Sequence, residues 1–200
     1  MRATLIGLLA LLGSGPTLAQ DTVGDPEAGR GLAGMMCQTC HSLAGDKGDP
    51  TAPRIGGQPA AYLAAQLRAF RSGEREALYG GQWAEAMSAI TKNLNDERID
   101  DLAAWYASHT ATPVLPEGYS MTAAPDQCFG CHGPDGIARA EGTPNLAGHP
   151  RVYLEAQMEA FRSGARVSEV MTPIAQRLSD EELAEVVDWY SSIGLELSAP

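Results

Sequence analysis

Apolar residues recur at helical spacing in several segments of the chain. In AAYLAAQLRAF, which begins at Ala60, and VYLEAQMEAF, which begins at Val152, apolar positions three and four residues apart form one face of an amphipathic helix. Two further helices are predicted to begin after Asn95 and Ser179, both good N-caps, and Ser179 with Glu182 matches a capping box. Strand signals are weak. The pattern predicts an all-α protein.

The helical segments occur twice, which indicates a tandem duplication. Cys37 and Cys128 are 91 residues apart, as are Phe70 and Phe161 in the repeated FRSG. The later segments NLNDERIDDLAAWYAS and RLSDEELAEVVDWYSS are 84 residues apart. The first copy therefore contains a seven-residue insertion around Ala77–Trp83, within or next to EALYGGQ at 76–82, which is expected to form a surface loop.

The duplication predicts two domains and a connection between them. The first domain spans residues 20–110, the linker residues 111–117 and the second domain residues 118–200. Pro113 and Pro116 predict an extended, fairly stiff linker. His109 at its border and His149, which replaces Gln58 of the first copy, are interpreted as polar surface or packing residues rather than as ligands.

The first 19 residues have the pattern of a secretory signal peptide. Arg2 supplies the positive start, Leu5–Leu12 the apolar run, and Thr17–Ala19 the small residues before the predicted cleavage, so the mature chain would begin at Gln20. A membrane anchor is the alternative, but the run is shorter than the roughly 20 apolar residues that a spanning helix needs. The sequence therefore predicts a periplasmic protein without a membrane span in the mature chain.

Two short motifs contain all four cysteines of the chain: CQTCH at 37–41 and CFGCH at 128–132. In an exported protein an even cysteine count is compatible with two disulfides. A thioredoxin-like motif would need a βαβ context, and a zinc site made of both CxxC pairs would leave the two histidines unexplained. C-x-x-C-H is the attachment signature of c-type haem.

Each position of the motif has a role in haem attachment. Residues three apart lie on one face of a helical turn, so Cys37 with Cys40, and Cys128 with Cys131, can form two thioethers to one porphyrin. The following imidazoles, those of His41 and His132, are suitable axial ligands for the iron. The sequence predicts two covalently attached haem c groups.

The repeat also predicts a sixth ligand for each iron. Met87 aligns with Met171, because both begin the matched segments MSAITKNL and MTPIAQRL. Methionine is more often a core residue than a ligand. In the second domain Met158 is the competitor, but it aligns with Leu67 inside an amphipathic helix and is interpreted as packing. Met/His ligation raises the reduction potential and favours electron transfer.

Together these segments resemble the exported class I cytochromes c, and the two-domain arrangement is similar to di-haem cytochromes of the c4 type. The resemblance rests on both CxxCH motifs, PRIGGQ and PNLAGH, FRSG, the two methionines and the starts of the closing helices. It implies that the carbonyls of Pro53 and Pro144 fix the rings of His41 and His132.

The second copy departs from this family pattern before its CxxCH motif. DPEAGRGLAGMM before Cys37 predicts a helix with Asp25 as cap and Pro26 at its first position. LPEGYSMTAAPDQ before Cys128 contains helix breakers instead, so that helix is expected to be short or missing in the second domain.

Charge and motifs limit the partners. The formal charge is −11, which makes nucleic acid an unsuitable partner and suits a basic docking surface on a redox protein. One hypothesis is a free carrier between a quinol-oxidising complex or dehydrogenase and an oxidase or reductase. The other is the cytochrome subunit of an enzyme such as a flavoprotein sulfide dehydrogenase, whose flavin would reside in another chain because no G-x-G-x-x-G segment is present. A di-haem peroxidase would need an iron without a distal ligand, which the matched methionines disfavour.

Overall fold

The computed structural model describes residues 24–46, 49–75, 82–123, 125–140 and 142–200. The predicted signal peptide lies outside the described residues. So does most of the predicted insertion loop, of which only Gln82 and Trp83 belong to a described helix.

The first half of the chain folds as helices around one apolar core. They are α1 (Pro26–Met36), α2 (Gln38–His41), α3 (Ala60–Ser72), α4 (Gln82–Thr91) and α5 (Asp96–Ala107). The predicted caps are present, since Asp25 accepts hydrogen bonds from the backbone at the start of α1 and Asn95 does so at the start of α5. Helices α1 and α5 cross at Gly29, where a Cβ atom would overlap the Asp101 carbonyl oxygen.

The second half repeats this arrangement without a counterpart of α1. Its helices are α6 (Asp126–His132), α7 (Arg151–Ser163), α8 (Met171–Ala175) and α9 (Asp180–Ser192). Between β1 and α6 the described residues contain a single 3₁₀ turn, Met121–Ala123, so the expected loss of the first helix is confirmed. Ser179 and Glu182 form the predicted capping box of α9.

A two-stranded antiparallel sheet joins the halves, and its pairing was not predicted. Strand β1 (Thr110–Val114) lies in the segment interpreted as a linker, and it pairs with β2 (Gly194–Ser198) at the end of the chain. The segment is extended as expected, but its backbone forms hydrogen bonds with β2 instead of being a free connection between the domains. The all-α prediction stands for the domains, because these ten are the only strand residues in the part of the chain that the structure describes.

Each domain has its own core, closed by the last helix of its repeat. In the first, Leu63, Ile99, Leu102 and Tyr106 are buried together; in the second, Leu154, Phe161, Val187 and Tyr190 are. Trp105 and Tyr106 on α5 and Tyr190 on α9 are buried and Trp189 is partly buried, so these aromatic side chains pack against the two cores.

Candidate functional site

The two CxxCH motifs each lie on a short helical turn. Cys37 caps α2, which contains Cys40, whereas Cys128 and Cys131 both lie within α6. All four cysteines are free thiols. Burial raises the pKa of Cys37 and of Cys128 to about 11, so both remain protonated at neutral pH and are unlike the reactive thiolates of redox motifs.

The structure supports neither alternative use of these cysteines. Since every cysteine is described and unpaired, no disulfide joins them. Within the described part of the chain, no three histidine, cysteine or acidic side chains meet in a cluster that could hold a metal ion. The zinc alternative therefore has no site there.

The histidine of each motif is buried and oriented by a proline carbonyl. His41 Nδ1 donates to the Pro53 carbonyl oxygen at 3.1 Å, and His132 Nδ1 donates to that of Pro144 at 3.0 Å. Because a carbonyl only accepts, the proton is on Nδ1 and the Nε2 lone pair is free for a metal. Burial lowers the pKa of both imidazoles, which favours the neutral form that binds iron.

A tryptophan holds the loop after each histidine in place. Trp105 Nε1 donates to the Leu43 carbonyl and Trp189 Nε1 donates to the Pro134 carbonyl, both at 2.9 Å. The two acceptors stand two residues after their histidines, so the contact is equivalent in both domains. The closing helices therefore position the CxxCH turns through these indoles.

A cavity of about 400 Å³ lies between the CxxCH motif and α4 of the first domain, and residues of α7 in the second domain complete its wall. This volume is within the range of roughly 300 to 1,000 Å³ that cofactor sites occupy. Cys37, Cys40, His41 and Met87 all line it. Its apolar wall comes from Met36, Leu63, Leu67, Phe70, Ile90 and Leu94.

The cavity wall also contains three cationic side chains. Arg54, Arg75 and Arg166 line it, and none of the described aspartates or glutamates does. Haem has an apolar macrocycle and two carboxylates, so an apolar chamber with arginines on its wall suits that group. In a protein with a net charge of −11 this local positive charge is a specific feature.

The second domain arranges the same residue types. Met171 begins α8 and packs, together with Cys128, against the core of the second domain. Met158, the alternative ligand, is itself a member of that core on α7 and is 9% exposed. Met87 on α4 and Met171 on α8 thus both lie on the helix that precedes the closing helix.

Two arginines cross the boundary between the domains in a pseudo-symmetric pair. Arg75 donates to Gln66 Oε1 at 2.8 Å in its own domain and to Gln157 Oε1 at 2.8 Å in the other. Arg166 donates to Gln157 at 2.6 Å and, across the boundary, to Gln66 at 2.9 Å. We call these four residues the interdomain clamp. Each arginine also contacts the tyrosine of the opposite domain, Tyr153 or Tyr62.

The spacing of the clamp residues in the sequence indicates this interface, although the interface was not predicted from it. Arg75 and Arg166, like Gln66 and Gln157, are separated by the same 91 residues as the cysteines. The glutamines stand on helices α3 and α7, and all four side chains line the first cavity. Polar residues that recur at the 91-residue spacing of the repeat therefore indicate a contact between the two domains.

A second set of contacts across the boundary is not symmetric. Gln58 Nε2 donates to the Asn145 carbonyl at 2.9 Å, and the Asn145 N–H donates back to Gln58 Oε1 at 2.8 Å. His149 is buried at this boundary and lines the first domain's cavity, which agrees with the packing alternative of its prediction rather than with a surface position. His109 is also buried, with Nδ1 donating to the Trp105 carbonyl at 3.1 Å, which is a packing role.

Comparison with known proteins matches one family model to each half of the chain. The family model of cytochrome c matches residues 26–110, and that of the cbb3-type cytochrome c oxidase subunit III matches residues 115–189. Cytochrome c4 of Pseudomonas aeruginosa is 30% identical, covering 96% of this chain and 100% of its own length. A thiosulfate dehydrogenase electron acceptor of Stutzerimonas stutzeri is 32% identical, covering 84% of this chain and 83% of its own.

A solved structure has the same two-domain architecture. Reduced recombinant cytochrome c4 from Pseudomonas stutzeri matches with a TM-score of 0.67 at 25% identity, covering 85% of this chain and 99% of that one.

Proposed function

The chain belongs to the cytochrome c4 family of di-haem electron-transfer proteins, and on this premise we propose that it is an exported periplasmic carrier that accepts electrons from a dehydrogenase. It has two covalently attached haem c groups and transfers single electrons rather than catalysing a reaction of its own. The signal-peptide pattern of residues 1–19 supports export. Among the described residues, no helix is long and apolar enough to cross a membrane.

We assign the attachment and ligand residues from the CxxCH motifs, the internal repeat and the lining of the first cavity. Cys37 with Cys40 would hold the first haem and Cys128 with Cys131 the second. His41 and Met87 would ligate the first iron, and His132 and Met171 the second. When bound, haem supplies a one-electron couple, and Met/His ligation gives it a relatively high potential.

The protein's role in electron transfer is to fix the position of the haem ligands and to keep water away from them. The Pro53 and Pro144 carbonyls fix the ligand rings through Nδ1, so little reorganisation is needed when the iron changes charge. The clamp keeps the two domains in one arrangement, which favours electron exchange between the haems. The single observation that carries the proposal is the joint lining of one cavity by Cys37, Cys40, His41 and Met87.

Haem attachment is tested by mass spectrometry of the mature chain made in a host with cytochrome c maturation. We expect two haems per chain, one in the Cys37→Ser/Cys40→Ser variant and one in the Cys128→Ser/Cys131→Ser variant. A wild-type chain with fewer than two haems contradicts the assignment.

The donor is the second part of the proposal. Relatives named as thiosulfate dehydrogenase electron acceptors favour that enzyme as a donor, in place of the flavoprotein sulfide dehydrogenase of the sequence hypothesis. We expect purified thiosulfate dehydrogenase with thiosulfate to reduce both haems in stopped-flow absorbance. A flavoprotein that co-purifies with the native protein in equal amount, together with no reduction by thiosulfate dehydrogenase, would instead make the chain a subunit of a flavin enzyme.

A further inference from the structure

Two buried side-chain nitrogens at the wall of the first cavity have no hydrogen-bond partner. They are Arg54 Nη1, a donor, and His149 Nδ1, which is a donor in the tautomer that has its proton on this atom, and both side chains line the cavity. His149 is 6% exposed. Buried polar atoms are nearly always paired, and an unpaired donor costs about 1 to 3 kcal/mol. An acceptor is therefore expected at this place in the complete protein.

The duplication shows that this gap is specific to one side of the interface. Arg54 aligns with Asn145 and Gln58 aligns with His149, each 91 residues apart. The Gln58–Asn145 pair closes on itself through two hydrogen bonds across the boundary. The equivalent pair, His149 with Arg54, leaves both donors open. The pseudo-symmetric contact has thus been replaced on the side that faces the first cavity.

The missing acceptor should carry negative charge. Within the described chain, no carboxylate lies within ion-pair distance of the Arg54 guanidinium, and no acidic side chain lines the cavity. Burial, and then the Arg54 charge, lower the pKa of His149 to about 3, so the imidazole is neutral and offers one N–H. A cation and a neutral N–H donor on one wall form a site for a carboxylate.

We propose that Arg54 and His149 together bind a propionate of the first domain's haem, so that the second domain contributes a residue to the first domain's haem site. The inference rests on the proposed attachment of that haem at Cys37 and Cys40. His149 acts as a positioning residue: its N–H compensates the propionate charge beside the iron. Loss of this compensation stabilises the ferric state and lowers the first haem's potential.

The test is a redox titration of the two-haem protein with His149→Leu and His149→Gln. We expect His149→Leu to shift the first haem's redox equilibrium toward the ferric state by up to about tenfold, which is about 59 mV for one electron. The propionate bending band in the resonance Raman spectrum should shift as well. His149→Gln keeps a donor and should move both readouts less. Met87→Ala identifies which of the two potentials belongs to the first haem.

His109→Gln is the matched control, because His109 is also a buried histidine at the domain border but does not line the cavity. It should leave both potentials as in the wild type. If His149→Leu does not accumulate, Arg54→Gln is the variant that tests the proposal. It should lower the first haem's potential. It should also make that potential fall as pH rises, because a propionate without its cation binds a proton on reduction.

Two results would overturn the proposal. In the first, neither the first haem's potential nor the propionate band changes in Arg54→Gln and in His149→Leu. His149→Gln replaces His149→Leu if that variant does not accumulate. This result would mean that the two donors bind only water. The other is a shift confined to the second haem. In both cases a mass of two haems per chain leaves the proposed function intact, whereas a wild-type chain without a haem at Cys37 and Cys40 overturns both.

Discussion

At the scale of single residues, the two methionines on α4 and α8 carry the most direct consequence for electron transfer. On the proposed ligand assignment, replacing Met87 or Met171 by alanine removes a thioether from one iron. We expect the methionine–iron charge-transfer band of the oxidised protein to fall by about half in either variant, since one of two such bonds is lost, and the potential of that haem to fall. Near-infrared absorbance and redox titration measure both effects.

Met158→Leu is the matched control for that experiment. Met158 lies in the core of the second domain and is 9% exposed, so a leucine of similar volume should be tolerated there without a spectral change. A Met171→Ala protein with an unaltered oxidised spectrum, or a Met158→Leu protein that loses the band, would contradict the ligand assignment.

Single residues also show where sequence reasoning was sufficient. The CxxCH motifs have a fixed chemistry within five residues, so their cysteines and histidines could be identified without a fold. The caps Asp25, Asn95 and Ser179 are equally local, and the structure confirms each. Arg54 and His149 are different, because their open donors exist only once residues 95 apart in the sequence meet at a cavity.

At the scale of elements, the crossing of α1 and α5 depends on the absence of a side chain at Gly29. A Cβ there would overlap the Asp101 carbonyl oxygen and would approach Trp105 Cβ to 2.9 Å. We expect Gly29→Ala to force the helices apart and to reduce the free energy of unfolding by about 1 to 3 kcal/mol. Chemical denaturation of the haem-containing protein measures this difference.

Gly31 on the same helix provides the matched control. A Cβ at Gly31 meets no atom within 4 Å, and the residue is exposed. Gly31→Ala should therefore raise the free energy of unfolding by about 0.5 to 1 kcal/mol, because alanine has less backbone freedom to lose. Equal effects of the two substitutions would show that helix propensity rather than the α1–α5 contact decides stability here.

The sheet is the element that the sequence did not predict, and its composition explains why. Strand β1 is TATPV, which contains a proline that donates no backbone hydrogen bond, and β2 is GLELS, which begins with glycine. Neither five-residue segment has a strong strand pattern alone. Their pairing joins residues more than 80 positions apart, as between Thr110 and Ser198, and local periodicity cannot report such a contact.

At the scale of the whole molecule, the interdomain clamp determines whether the two domains behave as one unit. Arg75 and Arg166 each donate to glutamines of both domains, and hydrogen bonds from charged groups contribute about 1.5 to 3 kcal/mol each. We expect the wild type to unfold in one calorimetric transition and Arg75→Gln/Arg166→Gln to unfold in two.

Arg151→Gln controls for the loss of an arginine as such. Arg151 forms surface ion pairs with Glu155 and Asp188, and exposed pairs contribute only about 0 to 1 kcal/mol. It should therefore preserve the single transition. A single, unshifted transition in the clamp variant would mean that the sheet or the Gln58–Asn145 contact is sufficient to couple the domains.

The charge of the whole molecule determines how it meets a partner, and the two domains differ in it. Residues 20–110 contain 12 acidic and 8 basic side chains, a net charge of −4, and residues 118–200 contain 12 and 5, a net charge of −7. Electrostatic steering raises the association rate of oppositely charged proteins and is screened by salt. A basic redox partner should therefore approach the second domain preferentially, where Val167 and Val170 beside Met171 also offer exposed apolar contact.

This steering predicts a specific pattern of electron-exchange rates with a small basic cytochrome c as probe. The second-order rate measured by stopped flow should fall as ionic strength rises, and it should fall further in Glu181→Lys/Glu185→Lys on exposed positions of α9 than in Glu97→Lys on α5. The first variant changes two charges and the second one, so the comparison is made per charge. A rate that rises with salt would contradict electrostatic attraction between the two proteins. A larger effect per charge at Glu97 would place the encounter on the first domain, because the rate responds most to charges near the surface where the partner docks.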